Sequence, residues 1–417
     1  MITATQARAV QRIEPNSFEV TRHFYPRVLN AQLHPMVRYF FLLGHERIAE
    51  RYIHMHPEVD PEAVHRLLAH TPRFFRWGGS DLFHVTTERG NRRIIVIETN
   101  SSPSGQKSMP FLHEVYGEEG YRRVLEHAFL PLLKEAPVDG ELAVLYDKNE
   151  METSGYAATL ADLVDEPVWW VPFFDDDPEL PARFTEDGLL EIRTPEGDWR
   201  PVCVAFRYVT QRPWNRIPPL PRTALLNPPL VCLAGGRNKM LAAKAYDLFN
   251  AKRQNEGLRV RVPETIWDVA QGDVPLWVER MGGFAVVKNP YSNAGQGVYT
   301  ITSPGELETF MQAEFAYDRF IVQGLVGNYT WSSETSHGRF YHVGTVPNRR
   351  GNIYVSDLRF MVGAGPGGFF PVALYARRAR QPLAKHLESG QDSWGMLGTN
   401  LSVKQADGTW TTEPERL

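Results

Sequence analysis

In the stretch VIETNSSPSGQKS, from Val96 to Ser108, an apolar run of strand type ends on Glu98 and Asn100 and then breaks into serines, a proline and a glycine. Alternation along a strand sends Glu98 and Asn100 to one face. Upstream, ERGN reads as a turn between DLFHVTT and RRIIVIE, with Gly90 where a positive φ is wanted. If that turn joins its strands symmetrically, as a two-residue loop on Arg89 and Gly90 or as a four-residue loop, Asp81 falls opposite Glu98, with β-carbons about 4.5–5.5 Å apart. Two carboxylates so placed repel each other. With the Asn100 carbonyl they form a set of hard oxygen ligands, of the kind Mg²⁺ needs when it holds a phosphate. The alternatives are that the register slips by one residue, or that the carboxylates sit in solvent at a hairpin mouth.

Two lysines extend the pattern. In GGFAVVKNPYSNAGQGVYTI, Lys288 ends a buried-type strand, and Asn293, Gly295, Gln296 and Gly297 follow in a small-residue turn before a second strand. Such a turn exposes backbone N–H groups beside one flexible cation, which suits bound phosphates, although a glycine turn is also simply a turn. In LAGGRNKMLAAKAYDLF, Lys239 opens a helix after a glycine pair, a second arrangement that suits phosphate. No Walker A run is present, and GAGPGGFF, with its internal proline, reads as a loop rather than a dinucleotide fingerprint.

The elements that must position these residues alternate. His34 to His70 has apolar residues at helical spacing with a break before Asp60-Pro61, giving two or three helices. Its His54, His56, His65 and His70 fit solvated helix faces or a metal site. After the hairpin come a helix over Tyr121 to Leu133, the strand ELAVLYD, a helix from Ser154 to Asp165, the strand VWWVPF and the strand VCVAFRYV, a small α/β domain. A proline-rich crossing from Arg212 to Pro229 reads as a boundary. Beyond it lie a helix after Asn238, the strands FAVVK and VYTI, a helix over Glu306 to Glu314, and the strand RFIVQGLV.

With 417 residues the chain exceeds one core, so two or three subdomains are expected. A net charge of −4 provides no basic field for nucleic acid. Cys203 and Cys232 are too few for a disulfide scaffold or a zinc site. No apolar run reaches signal-peptide or membrane-span length, so a cytoplasmic protein with neither membrane nor nucleic acid as partner is expected.

These residues resemble the ATP-grasp ligases, in which lysines and a small-residue loop hold ATP and an acid-acid-asparagine set holds Mg²⁺. ETNSSPSG resembles the family's E-x-N-x-x-P-G motif, with the glycine displaced by one serine. RFIVQGLVG is similar to the adenine-hinge strand, which implies main-chain contacts from Gln323, Gly324 and Leu325. SDLRFMV resembles the D-x-R strand and nominates Asp357 and Arg359; YARRAR and GTNLS nominate Arg377, Arg378 and Asn400. E-x-N normally comes last in the chain and here comes early, which is the order of the circularly permuted branch that includes eukaryotic-type glutathione synthetase. The glutamate of that branch's glycine loop is absent, with Asn293 its nearest substitute.

The resemblance implies an α/β (α+β), circularly permuted ATP-grasp fold: a helical segment over 1–75, a metal-binding part over 76–135, an α/β substrate domain over 136–228, a lysine and glycine-loop subdomain over 229–320 and a C-terminal subdomain over 321–417. It further implies that Asp81, Glu98 and Asn100 hold Mg²⁺, that Lys239, Lys288, Asn293, Gly295, Gln296 and Gly297 contact ATP, and that Arg207 lies near the substrate. ATP would phosphorylate a carboxylate and an amine would displace the phosphate, with Arg359 steadying the acyl phosphate. Ser101, Ser102 and Gly105 would let a loop approach the substrate, and Arg377 and Arg378 would read a carboxylate. Small amino acids or peptides are the expected substrates, and a homodimer is plausible for the family. A kinase on the same scaffold and a non-catalytic nucleotide-binding protein are the alternatives.

Overall fold

The computed structural model describes residues 8–111, 117–177, 179–209, 216–233, 238–292, 297–388, 393–404 and 409–417. The chain is mixed α/β and divides into two compact units. The first comprises Met1–Gly79, Ser101–Leu233 and Met361–Leu374, and the second Ser80–Asn100, Ala234–Phe360 and Tyr375–Leu417. Among the described residues no helix is long and apolar enough to cross a membrane.

The first unit is built on a seven-stranded sheet. Glu141–Tyr146 lies parallel to both Val168–Pro172 and Trp199–Tyr208, and Ala224–Leu226 is parallel to the latter. Parallel strands need a crossover, and the Glu150–Val164 helix supplies it. Its buried face is rich in small residues, which lets it lie close: a β-carbon on Gly155 would stand 3.0 Å from the Tyr121 ring. Antiparallel additions widen the sheet, namely Gln11–Ile13 on Val168–Pro172 and the Ala182–Phe184 and Leu190–Arg193 strands beyond Trp199–Tyr208. The His34 to His70 region forms three helices, Pro35–Phe41, His45–Met55 and Pro61–Leu68, the last capped by the Asp60 carboxylate. The Tyr121 to Leu133 helix is interrupted by a π-helical stretch over Leu125–Phe129.

The second unit holds a four-stranded antiparallel sheet in the order Thr265–Ala270, Arg319–Gly324, Ala285–Lys288, Val298–Ile301. Alternation divides its two faces. Ala285, Val287, Ile301, Phe320 and Val322 join Val274, Val278 and Phe310 from two helices in one apolar core. The opposite face carries Lys288, Val286, Val298, Thr300 and Gln323. This unit also carries most of a five-stranded sheet, in the order Phe340–His342, Trp77–Thr87, Ser356–Gly365, Gly368–Arg378, with Arg92–Ser101 paired to Trp77–Thr87. GAGPGGFF is a tight hairpin rather than a loop, since only Pro366 and Gly367 lie between the Ser356–Gly365 and Gly368–Arg378 strands.

The ERGN turn differs from the symmetric count. Thr87 donates to the Asn91 carbonyl at 3.0 Å and Gly90 to the Thr87 carbonyl at 2.9 Å, with Gly90 at φ 77°. This is a three-residue loop closed by a glycine bulge. Counted from it, Asp81 falls opposite Ile97, one residue short of Glu98. A shared cluster of Phe83, Val85, Ile95 and Ile97 agrees with that register.

Candidate functional site

The polar face of the four-stranded sheet is the floor of a cleft enclosing about 850 Å³, part of it open to solvent. One part of the lining is charged, with Lys288, Lys239, Glu98, Asp81, Asp357 and Arg377; another is apolar, with Phe83, Ile97, Val286, Leu325 and Val326. The Ser393–Leu397 helix and the residues after it bring Trp394, Leu397 and Asn400 to the same cleft.

Lys288 is 5% exposed, and its ammonium donates to the Gln323 side-chain Oε1 at 2.8 Å. The Gln323 amide in turn donates to Thr265 at 2.9 Å, which fixes its orientation. Burial lowers the Lys288 pKa to about 8, with Lys239 adding to the shift and Glu98 and Asp81 opposing it. An incompletely neutralised buried cation is a receptor for an anion. Lys239 opens the Lys239–Arg253 helix, where Asn238 caps the Met240 and Leu241 amides. Its ammonium donates to the Ser292 carbonyl at 2.6 Å and lies 3.7 Å from the Glu98 carboxylate. The lysine is where the sequence indicated, but the helix amides behind it are already capped.

The pH dependence of anion binding follows from Lys288. Phosphate groups require its charged form, so the dissociation constant of a probe anion such as pyrophosphate should rise above about pH 8, by up to tenfold per unit. Calorimetric titrations between pH 7 and 9.5 read this directly. The folded pKa lies below the unfolded value of 10.5, so the unfolded chain binds more protons between about 8 and 10.5. The lysine's contribution to stability therefore rises with pH across that window.

Asp81 is held by two guanidiniums. Arg359 grips it with two 2.6 Å hydrogen bonds, and Arg377 stands 3.2 Å away while donating two hydrogen bonds to Asp357. Burial works against the charge on Asp81, but Arg359 and Arg377 hold its pKa well below the usual carboxylate range. Burial and the nearby Asp81 push Asp357 up, while Arg377 opposes them. The positive charge that the sequence asked for beside Asp81 is thus already supplied by Arg359 and Arg377.

That arrangement bears on a divalent cation. Both oxygens of Asp81 are engaged by Arg359, and both of Asp357 by Arg377. Glu98, with Lys239 at 3.7 Å, is the cleft carboxylate without a guanidinium among the described residues. Asn100 is not among the cleft-lining residues, and its side-chain N–H₂ is buried without a hydrogen-bond partner. The donor set fits Mg²⁺ held through Glu98 and a ligand's own phosphates, a common mode for this ion, rather than a three-ligand protein cage.

The other nominated residues are placed as follows. Asn293, Gly295 and Gln296 lie outside the described residues, and Gly297 adopts φ 65° beside Asn289. Leu325 has its N–H on the Ser333 hydroxyl at 2.7 Å, and its carbonyl accepts from Ser333 N–H at 3.0 Å and Ser332 hydroxyl at 3.1 Å. The Gly324 N–H is donated to the Glu264 carbonyl at 2.8 Å. The hinge strand's amides are therefore committed internally. Arg378 packs over Tyr354 with its guanidinium 4.9 Å from the ring centroid.

Arg207, Ser101, Ser102 and Gly105 belong to the first unit. Arg207 is 1% exposed and donates to the Asn227 carbonyl, to Cys232 Sγ at 2.8 Å and to Ser102 at 3.3 Å; the Val209 carbonyl also accepts from it. Ser101 donates to the same sulfur at 2.9 Å. The small-residue loop is turned inward. The amides of Gly105 and Gln106 and the Ser104 hydroxyl all donate to the buried Glu152 carboxylate. Burial raises the Glu152 pKa, against the pull of Lys107 and those amides. Glu152 went unnoticed in the sequence because nothing local marks a helix residue that caps a loop 47 positions away.

No protein-family model matches the chain, and no curated protein matches it. Among solved structures it is similar to a glutathione synthetase-like effector from Globodera pallida in its apo form, at 10% identity and a TM-score of 0.45, covering 82% of each chain. It is similar to a RimK domain ATP-grasp protein from Sphaerobacter thermophilus at 12% identity and TM-score 0.34, covering 56% of this chain and 90% of that one. A D-alanyl-alanine synthetase A from Vibrio cholerae gives 11% identity and TM-score 0.33, covering 56% of this chain and 87% of that one.

Proposed function

We propose that the chain is an ATP-dependent carboxylate–amine ligase of ATP-grasp type, joining small amino-acid or peptide substrates. The observation that supports this reading best is the second-unit cleft, which joins an apolar lining to a buried, incompletely neutralised Lys288 beside Lys239 and Glu98. An apolar slot accepts a nucleobase, and the two lysines accept its phosphates. From Ile321, which pairs with Lys288, to Leu325 is four residues along the strand, roughly 13 Å. That is on the order of the span from a base to its outer phosphates.

In the proposed reaction the γ-phosphoryl group passes to a substrate carboxylate, and an amine then displaces phosphate to leave an amide, ADP and phosphate. Lys288 and Lys239 neutralise charge developing on the transferred group, and Gln323 holds the Lys288 ammonium in place. Mg²⁺, held through Glu98, would supply further neutralisation of the phosphates. Arg377, locked by Asp357, presents a guanidinium to the cleft where an acyl phosphate oxygen can be bound.

The test is incubation with ATP, Mg²⁺ and a panel of amino acids and dipeptides, following phosphate release and product mass. ADP formation requiring both a carboxylate and an amine supports the ligase. A phosphorylated product formed without an amine would make the protein a kinase, and no nucleotide turnover with any pair would reject both.

A further inference from the structure

We infer that His342 is the side chain that reads the 6-amino edge of the adenine base, an assignment that rests on the nucleotide reading above. His342 lies on the Phe340–His342 strand, whose register sets it opposite Val85. Its main chain is pinned, with its N–H donated to the Gly327 carbonyl at 2.9 Å, so the ring position is fixed by the fold. Phe83 meets the ring edge-on, with centroids 4.5 Å apart.

The ring is 9% exposed and lines the apolar part of the cleft with Phe83, Leu325 and Val326. Neither of its nitrogens has a hydrogen-bond partner. Burial lowers its pKa to about 3, and the Val326 main chain opposes that shift from outside hydrogen-bond geometry. The ring is therefore neutral and offers one donor and one acceptor. A buried polar group left unpaired is costly, and the commonest resolution is a ligand or water that completes it.

The neighbouring backbone strengthens the assignment. Here the Gly324 amide and both polar groups of Leu325 are used within the protein. Among the described residues of that part of the lining, the imidazole nitrogens are buried side-chain atoms without a hydrogen-bond partner, and the acceptor nitrogen suits an exocyclic amino group.

The test compares ATP with purine riboside 5′-triphosphate, which lacks the 6-amino group, by calorimetric titration of the full chain in Mg²⁺. The native protein should prefer ATP by about fivefold to tenfold, the worth of one hydrogen bond in a dry site. In His342→Phe that ratio should fall to within about twofold, while binding of the analogue is retained. A native ratio near one, or an unchanged ratio in the variant, would overturn the assignment. Absence of binding of either nucleotide to the native protein would instead overturn the nucleotide reading on which it rests. Should His342→Phe fail to fold, native protein carrying ring-¹⁵N histidine serves. ATP should shift one His342 nitrogen resonance, assigned by its loss in His342→Gln, and no shift at saturation would reject the contact.

Discussion

Replacing Asp81 with alanine is expected to cost the fold about 3–5 kcal/mol, because it removes a buried carboxylate that Arg359 grips with two hydrogen bonds. Arg377 would keep Asp357, so the loss falls chiefly on one guanidinium. The measurement is denaturant unfolding at pH 7, with Asp81→Ala shifted to lower midpoint at an unchanged slope. Since Asp81's folded pKa lies below its unfolded value, the stability it confers is present above the unfolded pKa and lost as pH falls below it. The native protein should therefore lose stability in acid more steeply than the variant. Equal stability of the two at pH 7 would mean that the pair contributes nothing.

The second large effect separates chemistry from stability. Lys288→Met is expected to lower turnover by about 10²–10³-fold, the usual loss when a group that stabilises developing charge is removed. Glu98→Ala should likewise abolish turnover while leaving the protein folded, since its carboxylate is only loosely paired, 3.7 Å from Lys239. Lys288 is buried with a depressed pKa, so an apolar replacement of similar length should leave stability unchanged or raise it. Turnover with thermal melting on both variants reads the two quantities. Loss of folding together with activity would assign these residues to the core rather than to the site.

Much of the site was legible because its residues end strands. Lys288 and Glu98 sit where a buried run meets small polar residues, and period-two alternation carries Val286 and Lys288 to one face. Asp81 lines the same cleft as Glu98, but not through the pairing the sequence suggested. Gly90 closes a three-residue loop rather than a symmetric one, and a single residue of register moves the opposite position from Glu98 to Ile97. The guanidinium network was hidden for another reason. Arg359 meets Asp81 across 278 positions of chain, and no spacing rule reaches that far.

Other features were invisible because their signal is tertiary. The Thr265–Ala270 strand escaped notice because a bulge between Trp267 and Val269, with Asp268 at φ 66°, breaks its alternation. The serines after Asn100 were read as facing a substrate. They are instead drawn to Cys232, Arg207 and Glu152, since a buried carboxylate and a buried guanidinium require donors and acceptors wherever the chain can supply them. His342 has no local marker at all, and its importance comes from unpaired nitrogens in an apolar wall.

The central claim is that the second-unit cleft binds a nucleoside triphosphate through Lys288. Calorimetric titration of a non-hydrolysable ATP analogue with Mg²⁺ into native protein and into folded Lys288→Met tests it most directly. The account predicts one-to-one binding to the native protein and at least a tenfold weakening in the variant. Equal affinity in the two proteins, or no binding to the native chain, would contradict it.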